Sequence, residues 1–137
     1  MGNAKVWAYS PKAQVVSGEM KSKIERMADN LITELKKQHL KGKPKKNDWN
    51  YIADIYYTWV GRRFYLCSKY NCPSPDALSP SFELTFARLE YTGNKYRDNN
   101  PFQLFFMRHT GQWVKLHEDI SLNEAFKALK EDPWFTP

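Results

Sequence analysis

Five polar residues beyond residue 48 are of types that do acid–base chemistry: Asp54, Arg88, Glu90, Arg108 and His109. A carboxylate and an imidazole held together can pass a proton to and from a substrate, with an arginine beside them to clamp an anion. Glu90 and His109 would be that pair. The competing reading is structural. Arg88 and Glu90 stand two apart in a stretch of strand-like alternation, on the face that also carries Phe82, Leu84 and Phe86, so they are expected half-buried and paired. Arg108-His109 closes an apolar strand beside a turn. Ion-pair networks of this kind occur without any catalytic role, and the structural reading is taken here. The chain has no G-x-S-x-G, P-loop, H-E-x-x-H or dinucleotide fingerprint. Its six glycines form no phosphate-cradling cluster. It is expected to be no enzyme and to carry no cofactor.

The stronger chemical pattern is charge. Residues 1–47 hold 11 Lys/Arg against 4 Asp/Glu, a surplus of 7, while residues 48–137 hold 10 against 11. The whole formal charge of +6 therefore arises in the first third. Its densest part, from Lys36 to Lys46, contains Lys36, Lys37, Lys41, Lys43, Lys45 and Lys46 with no acid. Such a strap neutralises phosphates on DNA or RNA, and Arg62-Arg63 at a hairpin tip would extend it. A one-sided charge distribution speaks of partners rather than of fold; a solvated linker is the plain alternative. Tyr56, Tyr65, Tyr70, Tyr91 and Tyr96 would stack bases if exposed, against ordinary packing in strands, where aromatics are enriched. An exposed aromatic set also suits a protein interface.

Metal chemistry finds little support. Cys67 and Cys72 have a C-x4-C spacing, neither a redox CxxC nor a usual zinc pair. His39, His109 and His117 supply no H-x3–5-H partner to complete a tetrahedral site. No metal is expected. Cys67 reads as a half-buried strand residue and Cys72 as a loop thiol.

These residues need elements to position them. Residues 1–16 read as an irregular arm with Trp7 and Tyr9 as anchors. Met20, Ile24, Met27, Leu31 and Leu35 recur at offsets of 4, 3, 4 and 4, one stripe of an amphipathic helix over Gly18–His39. Ser17 is its N-cap, and Gly42 and Pro44 stop it. Tyr51, Ala53, Ile55, Tyr57 and Trp59 alternate with Ile52, Asp54, Tyr56 and Thr58, a strand. Gly61-Arg62 turns into Arg63–Tyr70, with Phe64 and Leu66 opposite Tyr65 and Cys67. Residues 71–80 are a proline-broken loop. Strands follow from Ser81 to Tyr91, over Phe102–Arg108 and over Gln112–His117. The 102–108 strand is apolar on both sides, suggesting a covered, central position. Ser121-x-x-Glu124 is a capping box for a short helix ended by Asp132-Pro133.

Three segments carry a family resemblance: Tyr51-Ile52-Ala53-Asp54-Ile55, Phe86-Ala87-Arg88-Leu89-Glu90-Tyr91, and the ending Met107–Trp113, Ser121–Phe126 and Glu131–Phe135. Together they resemble an uncharacterised prokaryotic family of conserved hypothetical proteins, a domain of unknown function. The likeness spans roughly residues 48–137, leaves the basic strap outside it and implies no activity.

The expectation is one α+β domain over residues 1–137: an arm (1–16), a helix with the strap (17–47) and a β-rich body (48–137). An antiparallel sheet of about five strands is packed by an N-terminal amphipathic helix and a short C-terminal helix. The function expected is non-enzymatic binding: first, sequence-independent association of the strap lysines, Arg62 and Arg63 with DNA or RNA. The alternative is a protein-interaction subunit or homo-oligomer that buries an aromatic sheet face; an enzyme is third. No stretch approaches the ~20 apolar residues of a membrane span, and no signal-peptide or myristoylation pattern opens the chain. A cytoplasmic location is expected.

Overall fold

The helical stripe places Ile24, Ala28, Leu31, Ile32 and Leu35 on one side of helix α1, Gly18–His39, and all five are buried. Ser17 caps it, its hydroxyl accepting from the Met20 amide at 3.1 Å. The computed structural model of the chain describes residues 15–40, 49–93 and 100–137. The anchors Trp7 and Tyr9, the lysines at 41, 43, 45 and 46, and Tyr96 lie outside the described residues.

The body is a five-stranded antiparallel meander in chain order: β1 (Tyr51–Val60), β2 (Arg63–Asn71), β3 (Ser81–Tyr91), β4 (Phe102–Met107) and β5 (Trp113–Ile120). Short connections favour this order, because neighbours in sequence pair at once. Gly61 takes a φ of +59° in the β1–β2 turn, a conformation that suits a residue without Cβ. Helix α2, Leu122–Glu131, follows β5. Its capping box is complete: Ser121 accepts from the Glu124 amide and Glu124 from the Ser121 amide, both at 3.1 Å. A 3-10 turn, Pro133–Phe135, returns Phe135 to the core.

Both helices lie on the same face of the sheet. Their buried residues join one cluster with Ile55, Phe64, Leu66, Leu89, Phe102 and Leu104. Among the described residues the other face carries no helix, so these residues form a two-layer α+β sandwich. Among the described residues β4 is covered by helices on one side: Phe102 and Leu104 are buried under them, while Phe105 and Met107 face the opposite way, half-buried.

Four irregularities decide which side chains reach which face. Between Leu66↔Ala87 and Cys67↔Thr85 the pairing slips, leaving Phe86 as an extra residue on β3. Phe86 and Ala87 then both turn to the core. The expectation that Arg88 and Glu90 continue the Phe82–Leu84–Phe86 face is thereby corrected. A side-chain period of two is reversed by one inserted residue, so Arg88 and Glu90 stand on the helix-free face. A second slip between Ile52 and Asp54 returns Ile52 to the core side, opposite the face expected for it. A third, between Leu104↔His117 and Phe102↔Ile120, includes Asp119 at a φ of 54° and carries β5 to Ile120, beyond the expected end at His117, and a fourth, between Leu104↔His117 and Phe105↔Lys115, leaves Leu116 as an extra residue packed against the core.

Candidate functional site

The helix-free face is built from the alternate residues of every strand. One row crosses all five: Thr58 opposite Tyr65, Tyr65 opposite Arg88, Arg88 opposite Phe105, and Phe105 opposite Lys115. Met107 and Trp113 pair in the next row. The centre of the row is an arginine among rings. The Arg88 guanidinium carbon lies 3.9 Å from the Phe105 ring centroid and 5.3 Å from that of Trp113. Tyr65 and Trp113 approach to 5.7 Å between centroids. Cations over ring faces are attracted by the ring quadrupole, more so when partly desolvated.

Glu90 completes the cluster. One carboxylate oxygen is 3.5 Å from Arg88 Nη2 and 3.5 Å from Arg63 Nε. Arg88 and Glu90 are 12% and 15% exposed and Arg63 49%, so the first pair is largely shielded and the second reaches solvent. The expected half-buried Arg88–Glu90 pair is present; its bridge to Arg63 arises because Arg63 and Glu90 are opposite in register. Arg88 Nε is buried with no hydrogen-bond partner.

The remaining polar residues are scattered. Asp54 pairs with Lys36 at 3.3 Å on the β1 edge. Arg108 and His109 are exposed in the β4–β5 turn. Glu90 faces Gln103, four residues before the end of β4, so His109 lies beyond a stretch of about 13 Å of strand. The Glu90–His109 acid/base pair is therefore not assembled.

A second polar group sits toward the free ends of β1–β3. The Tyr56 hydroxyl donates to Glu83, and that bond, ahead of burial, holds the phenol protonated well above its usual range. Cys67, opposite Tyr56, is 3% exposed. Burial first, and the Glu83 charge second, push its thiol up to about 11. It is a protonated packing residue rather than a nucleophile. Of the tyrosines named for stacking, Tyr56 and Tyr65 reach the open face. Tyr70 instead stacks on Phe82 and donates to the Pro137 carbonyl at 3.0 Å, and Tyr91 packs on Phe102 under the helices.

The basic residues form two groups. Lys21 lies 5.2 Å over the Trp59 ring, Trp59 Nε1 donates to Glu25 at 2.8 Å, and Lys36 meets Asp54. Helix α1 thus runs antiparallel to β1, with its lysine end at the start of that strand. Arg62-Arg63 follows the other end, about 20 Å of strand from Asp54 to Val60. The hairpin tip thus stands apart from the helix end; its expected adjacency to the lysines at 41, 43, 45 and 46 lies outside the described residues. Phe105, Trp113 and Lys115 were not singled out as site residues; Phe105 looked like core, and only the register of β4 and β5 turns these side chains to the open face.

Among the described residues no His/Cys/Asp/Glu group suits a metal ion, and no helix is long and apolar enough to cross a membrane. No curated protein and no solved structure matches the chain. The family model described as "Domain of unknown function (DUF3024)" matches residues 16–137, so it takes in helix α1 and the basic segment as well as the sheet, beyond the span the resemblance suggested. The aromatic–arginine face and the basic helix end are thus features of one family domain, and the chain belongs to that family of unknown function, DUF3024.

Proposed function

We propose that this protein is a non-enzymatic binding module that associates with nucleic acid by neutralising phosphates, without reading base edges. One observation carries the reading. Helix α1 lies antiparallel to β1, so its last-turn lysines, Lys36 and Lys37, stand at one edge of the sheet. In sequence these two lysines are followed by Lys41, Lys43, Lys45 and Lys46 with no acid among them, and concentrated positive charge is what a phosphate backbone rewards. The Lys36–Asp54 pair does not oppose this. Both side chains are more than two-fifths exposed, and an exposed pair is worth at most about 1 kcal/mol. Arg62 and Arg63 would make a separate contact at the far end of β1.

The test is fluorescence anisotropy with short DNA and RNA between about 50 and 200 mM salt. Lys41, Lys43, Lys45 and Lys46 changed together to Ala should weaken binding and flatten the log–log salt slope by roughly 3 to 4. Absence of binding at the lowest salt retires the reading.

A second reading, a protein-interaction subunit, is favoured by a different feature. Phe82, Leu84 and Trp134 are 37%, 48% and 58% exposed, and Leu84 and Trp134 line a groove of about 460 Å³ beside Arg108 and His109. Clustered exposed apolar side chains mark contact surfaces. That reading predicts association that tolerates salt and is lost in Leu84→Asp, measured by analytical ultracentrifugation.

A further inference from the structure

We infer that the helix-free face is a stacking platform for single-stranded nucleic acid, with Tyr65, Phe105 and Trp113 receiving bases and Arg88 acting as a positioning residue. This rests on the nucleic-acid reading above and adds to it the contact surface and the strandedness of the ligand. The three rings come from β2, β4 and β5, and among the described residues no second layer covers them. All three are half-buried by one another and by Arg88, so they are held in place yet retain accessible area. Arg88 is 12% exposed and fixed by Glu90, so its role is to pin Phe105 and Trp113 rather than to meet a phosphate. Rigid rings stack on any base, because every base has a π face. A duplex keeps its bases stacked inside and offers such a surface only its backbone.

Charge distinguishes the occupant. Arg63, Lys69 and Lys115 are exposed around the rings on the same face. Lys36 and Lys37 stand at the β1 edge, on the third of the chain that holds the whole positive surplus. Rings framed by cations at the margin of a basic domain complement a flexible polyanion with exposed bases. A protein partner would also fit the rings, but only an acidic one would complement the surplus as a nucleic acid does.

The experiment compares fluorescently labelled 12-nucleotide single-stranded RNA and DNA with a blunt duplex of equal length, using the full chain. The wild type should prefer the single strands by about tenfold or more. Trp113→Ala and Tyr65→Ala should each weaken single-strand binding about tenfold and leave the duplex affinity and the salt slope unchanged. Trp113→Phe should restore most of the loss, and thermal melting confirms that each variant is folded. Equal affinity for duplex, or single-strand binding indifferent to both alanine variants, overturns this inference and leaves the lysine-based reading standing. No binding of any nucleic acid at low salt overturns both. Salt-tolerant self-association that the alanine variants abolish assigns the face to a second copy of the chain and overturns the inference.

Discussion

The two faces of the sheet use rings in opposite ways. On the covered face Ile55, Phe64, Leu66, Leu89, Phe102 and Leu104 are at 2% exposure or below, sealed by a layer of helices. On the open face Tyr65, Phe105 and Trp113 reach only half burial, and they achieve it with one another and a guanidinium. Aromatic content by itself says little about a surface; what lies across from a ring decides whether it is core or contact. The covered face excludes water by layering, and the open face does so by lateral packing that leaves the tops of the rings available.

The largest test of this contrast is Phe64→Ala. Phe64 packs against both Tyr57 and Trp59 within about 5 Å between centroids, and its loss should cost roughly 3–5 kcal/mol in urea denaturation. Phe105→Ala should cost clearly less. Equal losses would mean that the open face is sealed as firmly as the covered one.

Cys67 probes lateral sealing directly. Its thiol is raised from an ordinary value of 9.0 to about 11, so at pH 8 its thiolate should be about 100-fold scarcer than in the unfolded chain. Alkylation of native protein should be slower by at least that factor. The sign for stability follows from the raised value: its contribution is full below pH 9 and is lost as pH rises through 11, because the unfolded chain ionises first. Labelling of Cys67 at the unfolded rate would break the picture of a closed lateral cluster.

Glu90→Gln comes next. It removes the charge that Arg88 and Arg63 share, leaving a largely shielded guanidinium with weaker partners, for an expected loss of about 2 kcal/mol. A double-mutant cycle with Arg88→Met should show coupling between the two. Additive losses would reduce the pair to a surface contact.

The smallest effect should fall on the covered face. Ser68 is wholly buried, and its hydroxyl has no partner. Ser68→Ala should therefore be neutral or slightly stabilising, within about 0.5 kcal/mol. A loss above 1 kcal/mol in equilibrium unfolding would show that the hydroxyl is bonded in solution.

Local signals were legible because their causes are local. The stripe from Met20 to Leu35 marks helix α1, Ser121 and Glu124 mark the start of α2 through a reciprocal pair of bonds, and Gly61 marks a hairpin turn. The i,i+2 spacing of Arg88 and Glu90 was enough to expect their pairing. Their face was not legible. The bulge at Phe86 depends on how β2 and β3 settle against each other, and one inserted residue reverses every side chain beyond it. The same holds for Arg63, which joins Glu90 only through cross-strand register, and for Phe105 and Trp113, which meet Arg88 only once β4 and β5 have paired.

The order of amino acids alone thus determined the elements, their antiparallel succession and the one-sided charge, all of which follow from propensity, periodicity and counting within short windows. Tertiary structure decided the rest. It set both described helices on one face, separated the Arg62-Arg63 tip from the lysine-bearing helix end by much of β1, left Glu90 and His109 apart, and gathered an arginine and three rings on the opposite face. Those outcomes depend on register and layering between distant segments, where a single-residue slip changes which side chains meet.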